Sequence, residues 1–144
     1  MLLYHIWTKG VYCCDIKTGE LRWNFRLKHA RSVFAYSDYI VCNFDEIGLR
    51  KISYDGEELF KSPLPDCNRF FELEKPYVFC GPIRGKYLVI DTESMAAAGT
   101  VRFRDYWKAD DRLIILDVKG THDEILLEGW LNDERFERMV FPKP

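Results

Sequence analysis

Apolar residues cluster in four short runs, at about 2–7, 39–43, 76–80 and 112–117. Each run is too short for a helix and reads as a strand covered on both faces. A short connection rich in polar residues and containing Gly follows each one: Thr8-Lys9-Gly10, Asp45-Glu46-Ile47-Gly48, Pro82-Ile83-Arg84-Gly85 and Lys119-Gly120-Thr121-His122. Gly takes the positive φ that a tight hairpin needs. Second strands are predicted at about 11–15, 48–53, 86–90 and 123–129. Asp15-Ile16-Lys17-Thr18-Gly19-Glu20 and Ser53-Tyr54-Asp55-Gly56-Glu57 then read as hairpin turns, with Asp or Thr opening the bend and Gly at the left-handed position. Third strands follow at about 21–26, 57–61 and 99–103. In the first of these Leu21, Trp23 and Phe25 alternate with Arg22, Asn24 and Arg26, the period of a half-buried strand. Met95-Ala96-Ala97-Ala98-Gly99 reads as one helical turn inserted before the third of these strands. Fourth strands bridging to the next copy are expected at Ser32 to Ala35, at Arg69 to Glu72 and around Tyr106.

The pattern is one unit written four times, with starts at 1, 39, 77 and 113. A supersecondary unit repeated at this period stacks on its neighbours, and four strands in about 37 residues is the size of a propeller blade. The sequence therefore predicts an all-β fold: a small β-propeller or propeller-like arc of about four antiparallel four-stranded blades. It forms a single domain over 1–144, with units 1–38, 39–76, 77–112 and 113–144. The first unit begins without an inward strand and the last ends without its fourth; the expected count is fifteen strands rather than sixteen. Residues 131–140 carry an alternative: Asn132 as an N-cap, early acids, and apolar Phe136, Met139 and Val140 also fit a short C-terminal helix.

The stretch Gly10-Val11-Tyr12-Cys13-Cys14-Asp15-Ile16-Lys17-Thr18-Gly19-Glu20-Leu21-Arg22-Trp23-Asn24-Phe25 resembles the quinoprotein-type (pyrroloquinoline-quinone-like) β-propeller repeat. That blade reads as apolar strand, Asp, two residues, Thr-Gly-Glu, then a strand carrying Trp. The likeness is partial over 48–61 and 85–103 and poor over 113–140. It implies blade architecture rather than a particular activity, since the repeat serves dehydrogenases, scaffolds and sensors alike. Quinone-dependent members bind their cofactor with Ca²⁺ at the axis of a complete ring. Four blades at most do not supply that apparatus, so no cofactor is expected. The blades either close into a four-bladed ring or form an open arc. An open arc has free edges, and two arcs related by a two-fold axis complete an eight-bladed homodimer.

Composition narrows the class. A chain of 144 residues with 47% hydrophobic and 15% aromatic residues builds a real core. Its formal charge of −2 gives no electrostatic footprint for nucleic acid or an anionic membrane. No run reaches the length of a membrane span, and the N-terminal stretch lacks the basic region of a signal peptide. Five cysteines, an odd number at irregular spacing, do not form a disulfide framework, which points to the reducing cytoplasm.

Candidate chemistry is sparse. Cys13 and Cys14 point to opposite faces of a strand and so cannot readily chelate one metal, and no Cys or His pair has zinc spacing. His5, His29 and His122 sit in no local catalytic motif. The acid pairs Asp45-Glu46, Asp110-Asp111 and Asp123-Glu124 fall in turns, where solvated carboxylates are ordinary, and no calcium loop is present. Arg102-Phe103-Arg104-Asp105-Tyr106-Trp107-Lys108 interleaves cations with aromatics as base-stacking surfaces do, but Asp105, Asp110 and Asp111 crowd it.

Blade topology does gather His29, Arg31, Asp45, Glu46, Arg84, Tyr106, Trp107 and His122 on one rim. Tyr, Trp and Arg there are hot-spot residue types, although Trp107 equally fits packing under its own loop. The expected function is a non-enzymatic, cytoplasmic protein-binding module: a small inhibitor, immunity-type protein or scaffold. It would act on another protein, without nucleic acid, membrane or metal, through those loops or an open strand edge. The alternative is a small-molecule- or sugar-binding protein, or a hydrolase, with acids and histidines converging near the axis.

Overall fold

The structure is a computed structural model describing residues 1–44, 48–61 and 69–144. Among these it is all-β, with fourteen strands in four antiparallel sheets and one short 3-10 turn, Phe103–Asp105. No described helix is long and apolar enough to cross a membrane. The chain divides into two compact units, Met1–Asp66 and Cys67–Pro144.

The first unit holds two sheets. One has the order β1 (Leu2–Ile6), β2 (Gly10–Cys14), β3 (Leu21–Phe25); the other runs β4 (Ala30–Ala35), β5 (Tyr39–Phe44), β6 (Gly48–Ser53), β7 (Glu58–Lys61). Val11, Ala30, Ile40, Cys42, Phe44 and Ile52 form its core, with Trp23 and Phe25 packed against them. In β5 the residues between these, Val41 and Asn43, are buried too. Burial on both faces is why this strand is a continuous apolar run.

The second unit holds β8 (Arg69–Glu72), β9 (Tyr77–Ile83), β10 (Lys86–Asp91) and β11 (Ala96–Arg102) in one sheet. Its other sheet holds β12 (Leu113–Gly120), β13 (Ile125–Leu131) and β14 (Glu134–Val140). Its core gathers Phe79, Tyr87, Val89, Val101, Trp107, Ile115, Val118, Ile125 and Leu127.

The sequence repeat reappears as a repeated hydrogen-bonding device. Asp15 Oδ1 accepts from the N–H groups of Lys17 and Thr18 at 2.8 and 3.1 Å. Ser53 Oγ accepts from those of Asp55 and Glu57 at 3.2 and 3.1 Å. Asp91 Oδ1 accepts from that of Glu93 at 2.9 Å. Short polar side chains that bond the backbone two residues on close the turn at each place. A β-bulge then follows in all three hairpins. Cys13 pairs Trp23 while Cys14 pairs Leu21; Lys51 pairs Phe60 while Ile52 pairs Glu58; Val89 pairs Gly99 while Ile90 pairs Ala97. The unpaired residues are thus Arg22, Leu59 and Ala98.

Several expectations change. Residues 131–140 are not helical: Asn132 and Asp133 form a two-residue turn at φ 51° and 67°, and Glu134–Val140 pairs with β13 along its whole length. Asn and Asp tolerate the left-handed region that such a turn requires. Residues 95–99 are not a helical turn either, because Ala96 already pairs with Asp91 and the surplus residue is absorbed at the bulge. The strand expected around Tyr106 is the 3-10 turn, so fourteen described strands stand where fifteen were expected. The bridging strands β4 and β8 pair forward, with β5 and β9. The sheets therefore begin near 30 and 69, one strand ahead of the apolar runs that mark the sequence repeat.

Trp23 joins the two sheets of the first unit. Its Nε1–H donates to the Tyr54 carbonyl at 2.7 Å, and its ring covers Gly56, where a Cβ would lie 2.9 Å from the ring. Gly56 also sits at φ +87°. Gly56→Ala is expected to destabilise the chain by about 1–3 kcal/mol, from left-handed strain plus displacement of the ring. Chemical denaturation measures this, and an unchanged midpoint would refute the role given to the Trp23 contact.

Candidate functional site

The predicted site residues divide between the two units. His29 and Arg31, in the first unit, converge on Trp7. The His29 ring stacks on the indole with centroids 4.7 Å apart, the His29 N–H donates to the Trp7 carbonyl at 2.6 Å, and the Arg31 guanidinium lies 5.5 Å from the indole centroid. His29 reaches this position from φ 65° at the foot of β4. Trp7 remains 43% exposed. Asp45 and Glu46 lie outside the described residues.

The other four belong to the second unit. Trp107 is 6% exposed and packs in the core against Phe103 and Tyr106, with ring centroids at 5.3 and 5.7 Å. Its buried Nε1 has no hydrogen-bond partner among the described residues. Tyr106 is half-buried and ties down the chain after β14: its hydroxyl accepts from the Phe141 N–H at 2.9 Å, and Arg138 lies over its ring. His122 stacks on Tyr77 at 4.5 Å, with Nε2 at 3.2 Å from Asp123 Oδ1. Arg84 occupies the two-residue turn between β9 and β10.

Around Arg84 lies a feature that the sequence did not reveal. A concavity of about 500 Å³ is lined by Arg84, Gly85, Lys86, Arg102, Phe103, Arg104 and Ala109. Lys86 and Arg102 are direct cross-strand partners at the end of the β10–β11 ladder. Arg84 lies two residues before the one and Arg104 two after the other. The Phe103 N–H donates to the Gly85 carbonyl at 3.0 Å, which fastens the 3-10 turn to the hairpin turn and holds the four cations together. All four are exposed, and none has an ion pair or side-chain hydrogen bond among the described residues. Asp105, next in sequence to Arg104, pairs with Lys143 at 3.9 Å. A second concavity of about 340 Å³ shares Lys86, Arg102 and Arg104 and adds Thr100, Asp105, Lys143 and Pro144. Finding this cluster from sequence requires the register across the 91–96 turn, and the bulge at Ala98 sets that register.

Several other polar or titratable groups serve the packing and the turns. Burial pushes the Cys42 thiol up to about 12 and raises that of Cys13, so both stay protonated at neutral pH and serve as core residues. Among the described residues no three His, Cys, Asp or Glu side chains group closely enough to hold a metal. Asp111, one of the predicted acid pairs, is a turn clamp. Its carboxylate accepts from Asn132 Nδ2 at 2.9 Å and from the Lys108 N–H at 2.8 Å.

No known protein-family model matches this chain, and no curated protein matches it either.

The Asn132 amide, followed by the Lys108 N–H, lowers the Asp111 pKa below the ordinary carboxylate range. A depressed folded-state pKa gives stability that is present above the ordinary value of about 3.9 and lost as pH falls through the folded-state value. Asn132→Gly keeps the left-handed turn accessible and removes the first donor. The Asp111 carboxyl is then expected to titrate closer to its ordinary value by carbon-detected NMR. An unchanged titration would contradict the clamp.

Proposed function

We propose that the chain is a protein-binding module without enzymatic activity, of the inhibitor, immunity-protein or scaffold type. In this reading its sheets act as blades of a propeller-like arc. The arc is supported by the turn device at 15, 53 and 91, by the bulge at 22, 59 and 98, and by Trp23 bridging adjacent sheets. The resemblance of residues 10–25 to the quinoprotein-type repeat points the same way.

The observation that carries the binding function is Trp7. An indole left 43% exposed, stacked by His29 and flanked by Arg31, is a rigid aromatic platform at the end of an edge strand. Such a group loses little side-chain entropy when a partner covers it, and Trp with Arg dominates measured hot spots. Among the described residues the strand leading to it, β1, pairs only with β2, and it exposes Leu2, Tyr4 and Ile6 as well. A covering protein would bury this row together with the indole.

The test is affinity capture from the native cell with the full chain and with Trp7→Ala. A specific partner should be retained by the wild type and weakened about tenfold or more by the variant, with little change in melting temperature. A captured set indifferent to Trp7→Ala and Arg31→Ala would sink the proposal.

A further inference from the structure

We propose that the four-cation concavity at the end of the β10–β11 hairpin binds a small molecule bearing a diphosphate, about the size of a nucleoside diphosphate. This goes beyond the protein-binding reading and does not rest on it, since Trp7 belongs to the other unit.

Two local rules are broken at this place, and both breaches put a cation into the concavity. Arg84 sits at φ 49°, followed by Gly85 at φ 76°. The first position of such a two-residue turn favours Asn, Asp or Gly, and a long side chain there is strained. Lys86 faces Arg102 across the ladder. Like charges directly opposite each other destabilise a sheet. Some exposed cations elsewhere are paired locally, Arg112 with Asp133 at 2.7 Å and Lys119 with Asp117 at 3.4 Å. Here four cations stand with no carboxylate among the residues lining the larger concavity. Strain and repulsion concentrated at one spot point to a ligand that relieves them.

The chemistry of that ligand follows from the lining. Three of the four cations are Arg, whose planar fork takes two oxygens of a phosphate at once. A phosphate monoester brings about −1.5 to −2 charges at pH 7, whereas a carboxylate brings −1. Two linked phosphates therefore bring the set close to neutrality within one compact group. The volume of about 500 Å³ suits a small organic ligand. Phe103 and Ala109 give it an apolar wall on which a flat group can lie. A nucleic-acid strand would need a basic track, and an overall charge of −2 with a single concentrated cluster does not supply one.

Calorimetric titration of the full chain at low ionic strength, where screening is weak, tests this with pyrophosphate, ADP and AMP as probes. A short single-stranded oligonucleotide and a glutamate-rich peptide serve as rivals. ADP and pyrophosphate should bind one to one, and ADP at least tenfold more tightly than AMP. The double variant Lys86→Ala/Arg102→Ala should lose at least tenfold in affinity while melting at the same temperature or higher. Arg84→Asn should also bind more weakly and melt higher, because Asn accepts the left-handed turn. Absence of binding at millimolar probe, binding indifferent to these variants, or tighter binding of the oligonucleotide or peptide would each overturn the proposal.

Discussion

Antiparallel sheets of three or four short strands hold together in water only when a face is covered, and within each unit of this chain a neighbouring sheet supplies cover. In the first unit Val11 of one sheet meets Ile40, Cys42, Phe44 and Ile52 of the other. In the second, Phe79, Tyr87 and Val89 meet Ile115, Ile125 and Leu127. Fully burying side chains of this kind is worth about 1.5–3 kcal/mol each, so the packed faces dominate any single polar contact. The outer strands contribute less and are correspondingly exposed. Every residue of β7 is exposed, and β14 buries only Val140.

That division decides where chemistry can reside. Interior strands have little freedom to change, because most of their side chains are fixed by packing on one face or the other. Turns and strand ends have more, and there the chain departs from the conformations its residues prefer. His29, Arg84 and Met95 all take positive φ without being Gly, as do Asn132 and Asp133. For Asn132 and Asp133 the side chains explain the choice, since both types tolerate the left-handed region. For Met95 burial explains it, as the side chain is 6% exposed. His29 and Arg84 have no such compensation within the core, and both present polar side chains beside concave or aromatic surface.

Much of the fold was legible in the sequence. The four apolar runs became β1, β5, β9 and β12. In β5 and β9 burial on both faces accounts for the continuous run, whereas β1 and β12 are mostly exposed and are not the doubly covered strands that the sequence predicted. The turns at 15–20 and 53–57 were legible because Gly19 and Gly56 mark left-handed positions, but the closing role of Ser53 was not read from the sequence. The Met95–Gly99 stretch misled because an alanine run scores as helix, while pairing across to Val89, Ile90 and Asp91 governs its conformation. The 131–140 segment was ambiguous because Phe136, Met139 and Val140 match a helical period and a strand almost equally. Only the Asn132-Asp133 turn and pairing with β13 decide it. The candidate site was legible in part. Trp107 shows the limit, since sequence could not tell an aromatic under a loop from one upon it. The basic cluster stayed hidden because Arg84, Lys86, Arg102 and Arg104 lie in two segments that only a bulged register brings together. Acids close by in sequence, Asp105, Asp110 and Asp111, masked their charge.

In the proposed binding mode a packed scaffold stays fixed while the ligand engages only a hairpin end. Amide-resolved NMR during addition of pyrophosphate tests that most directly. Resonances of Arg84, Gly85 and Lys86 and of Arg102, Phe103 and Arg104 should move together and saturate, while those of the buried interior of β9 and β10 hold still. Shifts spread through both strands, or centred on Trp7 instead, would contradict it.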